Sequence, residues 1–292
     1  MRLDPLHPAA WVVKELCADG WNVHDLLAFT RSSTLVVASR GSAPPLVVKA
    51  GFGSNHVLQQ LDDRQRPAAY GFYWYQQLTD EERALSRDDF RHERDLTISA
   101  SGVDHVVPAL DHGDGEHFDW YAMPLCDGGN FRPYLAGPSD QASGLRILGD
   151  IASGIAALHA HGIVHRDVYQ ENVLVHGGRG LLTDLGAGRR IDTPRGPRSR
   201  MAEPHWPPEY AANYDSASTA ADVFSLAVLI FRFIAGDLPR IGGRQDTARL
   251  PAPLRETVIN SLQHTPAMRP SADELASALN ETSAHHESRT AP

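Results

Sequence analysis

The stretch from Ile163 to Gly186 constrains this chain more than any other part of it. It reads IVHRD, then an apolar run from Val173 to Val175, then a glycine turn and a second run ending in LLTD. Short β-rich runs on either side of glycines are read as paired strands. His165, Arg166, Asp167 and Asn172 thus precede the first strand, and Asp184 closes the second. Ahead of them, Leu145, Ile147, Leu148, Ile151, Ile155 and Leu158 recur at helical spacing, with Ser139 or Asp140 available as a cap.

The rest of the chain divides unevenly around this segment. Leu26 to Ala50 gives β-rich runs split by the turn-forming stretch Arg40 to Pro45, and shorter strands are read at Val106 to Leu110 and Trp120 to Pro124. From about Val57 to Leu96 the pattern is helical, broken by Pro67, with Tyr70, Phe72, Tyr73, Trp74 and Tyr75 crowded together. A second apolar helix is read over Ala221 to Ala235, and weaker ones over Pro253 to Leu279. A strand-rich first third followed by a helix-rich remainder, with no internal repeat, predicts an α+β chain of two lobes. The expected division is a lobe at 1–125 carrying an insertion at about 52–85, a helical lobe at 126–280, and a polar tail at 281–292. That tail, with His285 and His286, reads as frayed chain rather than as metal ligands.

Bulk properties exclude several classes. The 292 residues are enough for two buried cores, and the two cysteines, Cys17 and Cys126, lie far apart and outside any metal-binding spacing. A net charge of −9 with mixed signs argues against nucleic acid as a partner. No apolar run reaches the roughly 18 to 20 residues of a membrane span, and MRLDPLHP lacks the apolar core of a signal peptide. The expectation is a soluble, cytoplasmic protein that engages no membrane.

The polar residues at Ile163 to Gly186 fit the spacing H-R-D-x-x-x-x-N followed by D-x-G. Upstream, VVK ends a strand at Lys49 and FRHERDL carries Glu93; downstream come WPPEY with Glu209, DVFSLAVLIF with Asp222, and RPSADEL with Arg269. In this order, over roughly Leu26 to Leu279, the chain resembles the eukaryotic-type protein kinases of the serine/threonine kind. The resemblance implies a bilobal fold, with a small β-rich lobe bearing one long helix and a larger helical lobe. It also implies the cofactors, ATP with magnesium or manganese, and a protein or peptide substrate.

Residue roles carry over in the same way. Asp167 becomes the base that orients the acceptor hydroxyl, and Asn172 and Asp184 become the metal ligands. Lys49, held by Glu93, grips the phosphates, while Glu209 and Arg269 form a buried pair and Asp222 anchors the catalytic loop. His165 braces that loop, and Arg166 offers a charge-assisted fork to a phosphorylated residue or an ordinary ion pair. Leu35, Val47 and Leu174 wall the base, and Met123, Pro124 and Cys126 form the hinge. Proline keeps its carbonyl but lacks an N–H, so Pro124 can accept and Cys126 can donate.

The resemblance also has gaps. Ala28, Thr30 and Ser33 stand where the family has glycines that let backbone amides approach the phosphates. Two residues beyond Asp167 the family's lysine is Tyr169, and its threonine partner before WPPEY is Ala202. The interval from Lys49 to Glu93 is long, and its AAYGFYWYQQL reads either as extra small-lobe core or as a docking surface for a peptide or partner at Tyr70 to Tyr75. RRIDTPRGPRSR is a basic, turn-rich stretch with Thr193 and Ser199 as modification candidates. These gaps leave two alternatives: a pseudokinase that binds without turnover, and, less well matched by WPPEY and Arg269, a small-molecule phosphotransferase.

Overall fold

The computed structural model describes residues 3–4, 7–51, 53, 58–59, 61–136, 141–196, 203–240 and 247–290, with backbone only for 286–290. The chain falls into two compact units: one comprises Met1–Ser101 and Pro108–Leu125, the other Gly102–Val107 and Cys126–Pro292.

The first unit opens with α1 (Pro8–Ala18), capped by the His7 ring, which accepts from the Ala9 N–H. An antiparallel sheet follows, built from β1 (Asn22–Phe29), β2 (Thr34–Ser39) and β3 (Leu46–Ala50). Then come a single helical turn, α2 (Phe72–Tyr75), the long α3 (Asp80–Ser99), and the strands β4 (Asp111–Asp114) and β5 (Asp119–Pro124). The strand order is β1-β2-β3-β5-β4. Side chains alternate across a sheet, and the register sorts them into two sets. Val36, Val48 and Ala122 lie side by side on one face, where Val12 and Leu16 of α1 join the core with Trp21 and Trp120. Leu35, Lys49 and Tyr121 lie side by side on the other, as do Val37, Val47 and Met123. Against this second face α3 turns the stripe Phe90, Glu93 and Thr97, and Phe90 stacks on Tyr121 at 5.9 Å. A capping box starts α3: Thr79 accepts from the Glu82 N–H while the Glu82 carboxylate accepts from the Thr79 N–H.

The second unit is built on α4 (Gln141–Ala160), whose Leu145, Leu148, Ile151, Ile155 and Leu158 are all buried. Two small antiparallel pairings follow: β6 (Ile163–Val164) with β9 (Arg189–Arg190), and β7 (Val173–His176) with β8 (Arg179–Leu182). The helices α5 (Tyr210–Asn213), α6 (Ala220–Ala235), α7 (Ala252–Ser261) and α8 (Ala272–Thr290) complete it. Apolar residues surround α6 on nearly every side, so it is an interior helix, and it stops at Gly236, whose φ of 81° a side chain would strain. The packing of α8 along α4 closes the unit.

Several elements differ from the sequence reading. The helix α1 is not foreshadowed by the strand-rich pattern that follows it. The helical pattern read from about Val57 to Leu96 holds a helical turn and then α3, which begins at Asp80 because the Thr79 cap starts it there. Val106 to Leu110 is no regular strand. Val106 makes one parallel bridge to Leu182, and the Val107 N–H donates to the Leu182 carbonyl, which draws 102–107 into the second unit. The 281–292 stretch is not a frayed tail over its first part: α8 continues through it to Thr290, and Thr282 and Ser283 are buried there. The proposed caps Ser139 and Asp140 lie outside the described residues, as do Ser199 and Ala202.

The aromatic cluster serves packing within the first unit. Tyr70 stacks on His7 at 4.7 Å and meets Phe29 of β1 at 5.5 Å, and Trp74 closes on both. Tyr70 and Tyr73 nevertheless stay 57% and 67% exposed, so their outer rims remain open.

Candidate active site

In the first unit the site begins with a lysine in the interior. Lys49 is fourth of five residues in β3, and the alternation that buries Val48 and Ala50 under α1 turns it to the α3 face. There its Nζ lies 2.5 Å from Oε1 of Glu93, itself without exposed surface. The Tyr121 hydroxyl donates to the same oxygen at 3.0 Å. Removing one member of a buried ion pair is strongly destabilising, so each of the three side chains helps lock the other two. Leu35, Val47 and Met123 share that sheet face with Lys49, while Pro124 pairs with Leu46 one residue further along.

In the second unit the loop between β6 and β7 is pinned from below. Asp222, wholly buried in the first turn of α6, accepts from the backbone N–H of His165 at 2.8 Å and of Arg166 at 2.7 Å, one on each oxygen. Burial alone pushes this carboxyl up, but the His159 ring at 2.8 Å and the His165 N–H outweigh it and hold Asp222 below the usual carboxylate range. The His165 ring then spans the loop. Its Nε2 faces the Thr183 carbonyl at 2.9 Å, which can only accept, so Nε2 carries the proton and Nδ1 accepts from the Asp167 N–H at 3.2 Å.

Arg166 adopts a φ of 66°, a left-handed conformation that costs a non-glycine residue about 1 kcal/mol. Its guanidinium donates to the carbonyls of Ala187, Arg195 and Tyr214 and lies 4.4 Å over the Tyr214 ring. The fork read from sequence as a phosphate or carboxylate grip is thus spent on backbone carbonyls. Its burial lowers the affinity of the guanidinium for its proton. One terminal nitrogen, Nη2, is buried with no hydrogen-bond partner.

Beyond the pinned loop Asp167 and Asn172 come together, and Asp184 follows the residue that bonds Asn172. Asn172 donates its Nδ2 to the Asp167 carbonyl at 2.9 Å and to Asp167 Oδ2 at 3.0 Å, and its own carbonyl accepts from the Thr183 N–H at 2.9 Å. Asp184 follows directly, at a φ of 63°, with Oδ1 accepting from the Gly186 N–H. Since the amide nitrogen of Asn172 is committed to Asp167, its Oδ1 is the end offered to a cation. One amide oxygen and one carboxylate suit a hard ion such as magnesium, which takes few protein ligands and completes its octahedron with water and phosphate oxygens. Among the described residues no three of His, Cys, Asp and Glu gather into an all-protein metal site.

Leu174 in β7 bridges to Asn130, and Cys126 begins the second unit. Burial, helped by the Asp127 charge, pushes the Cys126 thiol up to about 11, so it stays protonated at neutral pH. Further on, Arg269 grips Glu209 with two parallel bonds.

Sequence reasoning missed His205. Its Nε2 lies 3.0 Å from Asp167 Oδ1 and its ring stacks on Tyr169. The available signal was a lone ionisable ring in PHWPPEY, close before Glu209, in a segment read only for its glutamate.

A family model described as the protein kinase domain matches residues 73–286. Serine/threonine-protein kinase PkaB of Streptomyces coelicolor is 34% identical over 161 residues, covering 46% of this chain and 38% of that protein. Serine/threonine-protein kinase PrkC of Bacillus subtilis is 28% identical over 196 residues, covering 65% of this chain and 28% of the relative. The chain therefore spans well under half the length of these relatives. Among solved structures, the kinase domain of Mycobacterium tuberculosis PknI superposes with a TM-score of 0.61 at 22% identity, covering 90% of this chain and 95% of that one, a likeness of fold. Lys49 lies ahead of the residues the family model matches, but within a sheet of the kind that fold contains.

Proposed function

Because this chain belongs to the protein kinase domain family, we propose that it moves the γ-phosphoryl group of ATP to a serine or threonine hydroxyl of a protein or peptide. The observation that carries the reading is Asp167 held by Asn172 on one carboxylate oxygen, on a loop pinned by Asp222. Asp167 is the base: it orients the acceptor hydroxyl and takes its proton as the new oxygen–phosphorus bond forms and the bond to the β-phosphate oxygen breaks. Lys49, fixed by Glu93 and Tyr121, holds the α and β phosphates. Leu35, Val47 and Met123, on the same sheet face as Lys49, offer apolar contact to the adenine. Asn172 and Asp184 hold magnesium or manganese, which neutralises phosphate charge when bound.

A cytoplasmic setting, where ATP is plentiful, goes with this reading. No helix among the described residues is long and apolar enough to cross a membrane. We extend the proposal to the open rims of Tyr70 and Tyr73 as a contact for the protein substrate. Tyr73→Ala then raises KM for a protein substrate and leaves KM for ATP alone; an unchanged protein KM removes that contact.

The decisive experiment incubates the chain with labelled ATP, magnesium and either itself or a generic protein substrate, beside Asp167→Ala and Asp184→Ala. Label in serine or threonine that vanishes in both variants supports the assignment. Label that persists in both rejects it, and nucleotide binding without any transfer by the unaltered chain favours a binding module instead.

A further inference from the structure

Tyr169 stands where the family's lysine is expected, and the structure gives its ring a specific neighbour. The His205 imidazole lies parallel to it, 4.8 Å between centroids and 4° between planes. The edge of the same imidazole reaches Asp167, with Nε2 3.0 Å from Oδ1. The other carboxylate oxygen, Oδ2, already receives the Asn172 amide at 3.0 Å. An ionised carboxylate has no proton to give, so Nε2 of His205 carries the hydrogen and donates it.

His205 is itself fixed. It is only 8% exposed, and its carbonyl accepts at 2.8 Å from the hydroxyl of Ser225, fully buried on α6. The helix that pins the catalytic loop through Asp222 therefore also pins the residue that reaches back to Asp167. The stack sets the imidazole plane, and the plane sets where Nε2–H points.

We propose that His205 is the positioning residue for Asp167, holding with Tyr169 the carboxylate orientation that a lysine and a threonine hold in the family at large. The proposal rests on the phosphotransfer reading of Asp167. Two donors on two oxygens leave the carboxylate no freedom to rotate, and a base displaced from its line to the acceptor hydroxyl loses rate steeply. His205 acts only through Asp167.

Two substitutions separate this from plain packing. His205→Phe keeps a flat ring on Tyr169 but has no donor, whereas His205→Gln places an amide N–H near the Nε2 position and gives up the ring. The expected result is a fall in kcat of about tenfold to hundredfold for the phenylalanine variant, with KM for ATP within about twofold, and a glutamine variant within about fivefold of the unaltered chain. In the full chain, the His205 ring N–H should also give a slowly exchanging NMR signal that Asp167→Ala abolishes. A phenylalanine variant at full kcat, or a glutamine variant as impaired as phenylalanine with both melting early, overturns the positioning role while leaving phosphotransfer intact. An unaltered chain that transfers no phosphate overturns both readings together.

Discussion

Arg269 meets Glu209 end to end, its two terminal nitrogens 2.6 and 2.7 Å from the two carboxylate oxygens. The arginine side chain has no exposed surface, and its remaining donors go to the carbonyls of Gln263, His264 and Ala220. The pair thus ties the segment before α5 to the turn before α8 and to the start of α6. Arg269→Met should lower unfolding free energy by ~3 kcal/mol, because the glutamate is left without its partner. Arg269→Lys should recover little of it, since an ammonium cannot make two parallel bonds and also reach the carbonyls. Urea titrations of the two variants check this, and a lysine variant as stable as the unaltered chain would contradict the forked geometry.

The shared oxygen of Glu93 makes a second prediction. Tyr121→Phe removes one donor at 3.0 Å and leaves Lys49 in place, so it should cost ~1 kcal/mol of stability and little activity. Lys49→Met removes the cation from a carboxylate with no exposed surface, so it should cost ~3 kcal/mol and about a hundredfold in kcat/KM for ATP. Glu93→Gln tests which of the two effects is electrostatic: it keeps the lysine but leaves its buried charge beside a neutral amide, so stability should fall about as far as in Lys49→Met while activity falls less. Thermal melts and steady-state kinetics on the three variants decide it.

How much of this was legible beforehand depends on the kind of signal. Asp167, Asn172 and Asp184 were read from a spaced signature, and Lys49 and Glu93 from the resemblance to the kinase family, each lying at an element the sequence marks: a strand end, a helix face, a hairpin. Strand alternation puts Lys49 on one face of β3 and helical period puts Glu93 on one stripe of α3, but their pairing was read from the resemblance. The role of Arg166 was not legible. A guanidinium fork looks the same in sequence whether it meets a phosphate or three backbone carbonyls, and only the path of 187–214 decides. His205 was hidden for a related reason. It reaches Asp167 across 38 positions, through a turn with no periodicity, and Tyr169 reads as a loss until its stacking partner is seen. The extension of α8 past Leu279 was missed because ETSAHHES is polar in composition, while burial of Thr282 and Ser283 comes from α8 lying along the unit rather than from hydrophobicity.

Asp222 supplies the prediction with a definite pH window. Burial raises its pKa, but the hydrogen bond from the His159 ring, the attraction between Asp222 and that ring, and the His165 N–H together leave the folded group below its ordinary 3.8. The folded chain therefore binds this proton less readily than the unfolded chain. Its contribution to stability is whole above pH 3.8 and is lost as pH falls through the lower folded value. Asp222→Asn presents one carbonyl oxygen to two backbone donors and turns an NH2 toward the other, so at pH 7 the variant should be less stable by ~2 kcal/mol. It should also be slow in phosphotransfer, since the His165 to Asp167 backbone loses its anchor. As pH falls below 3.8 the unaltered chain progressively loses that contribution, and the gap between the two should narrow. Urea unfolding of both proteins at pH 7 and near pH 3 measures it. A gap of the same size at both values would mean that the charge on Asp222 does not hold the catalytic loop.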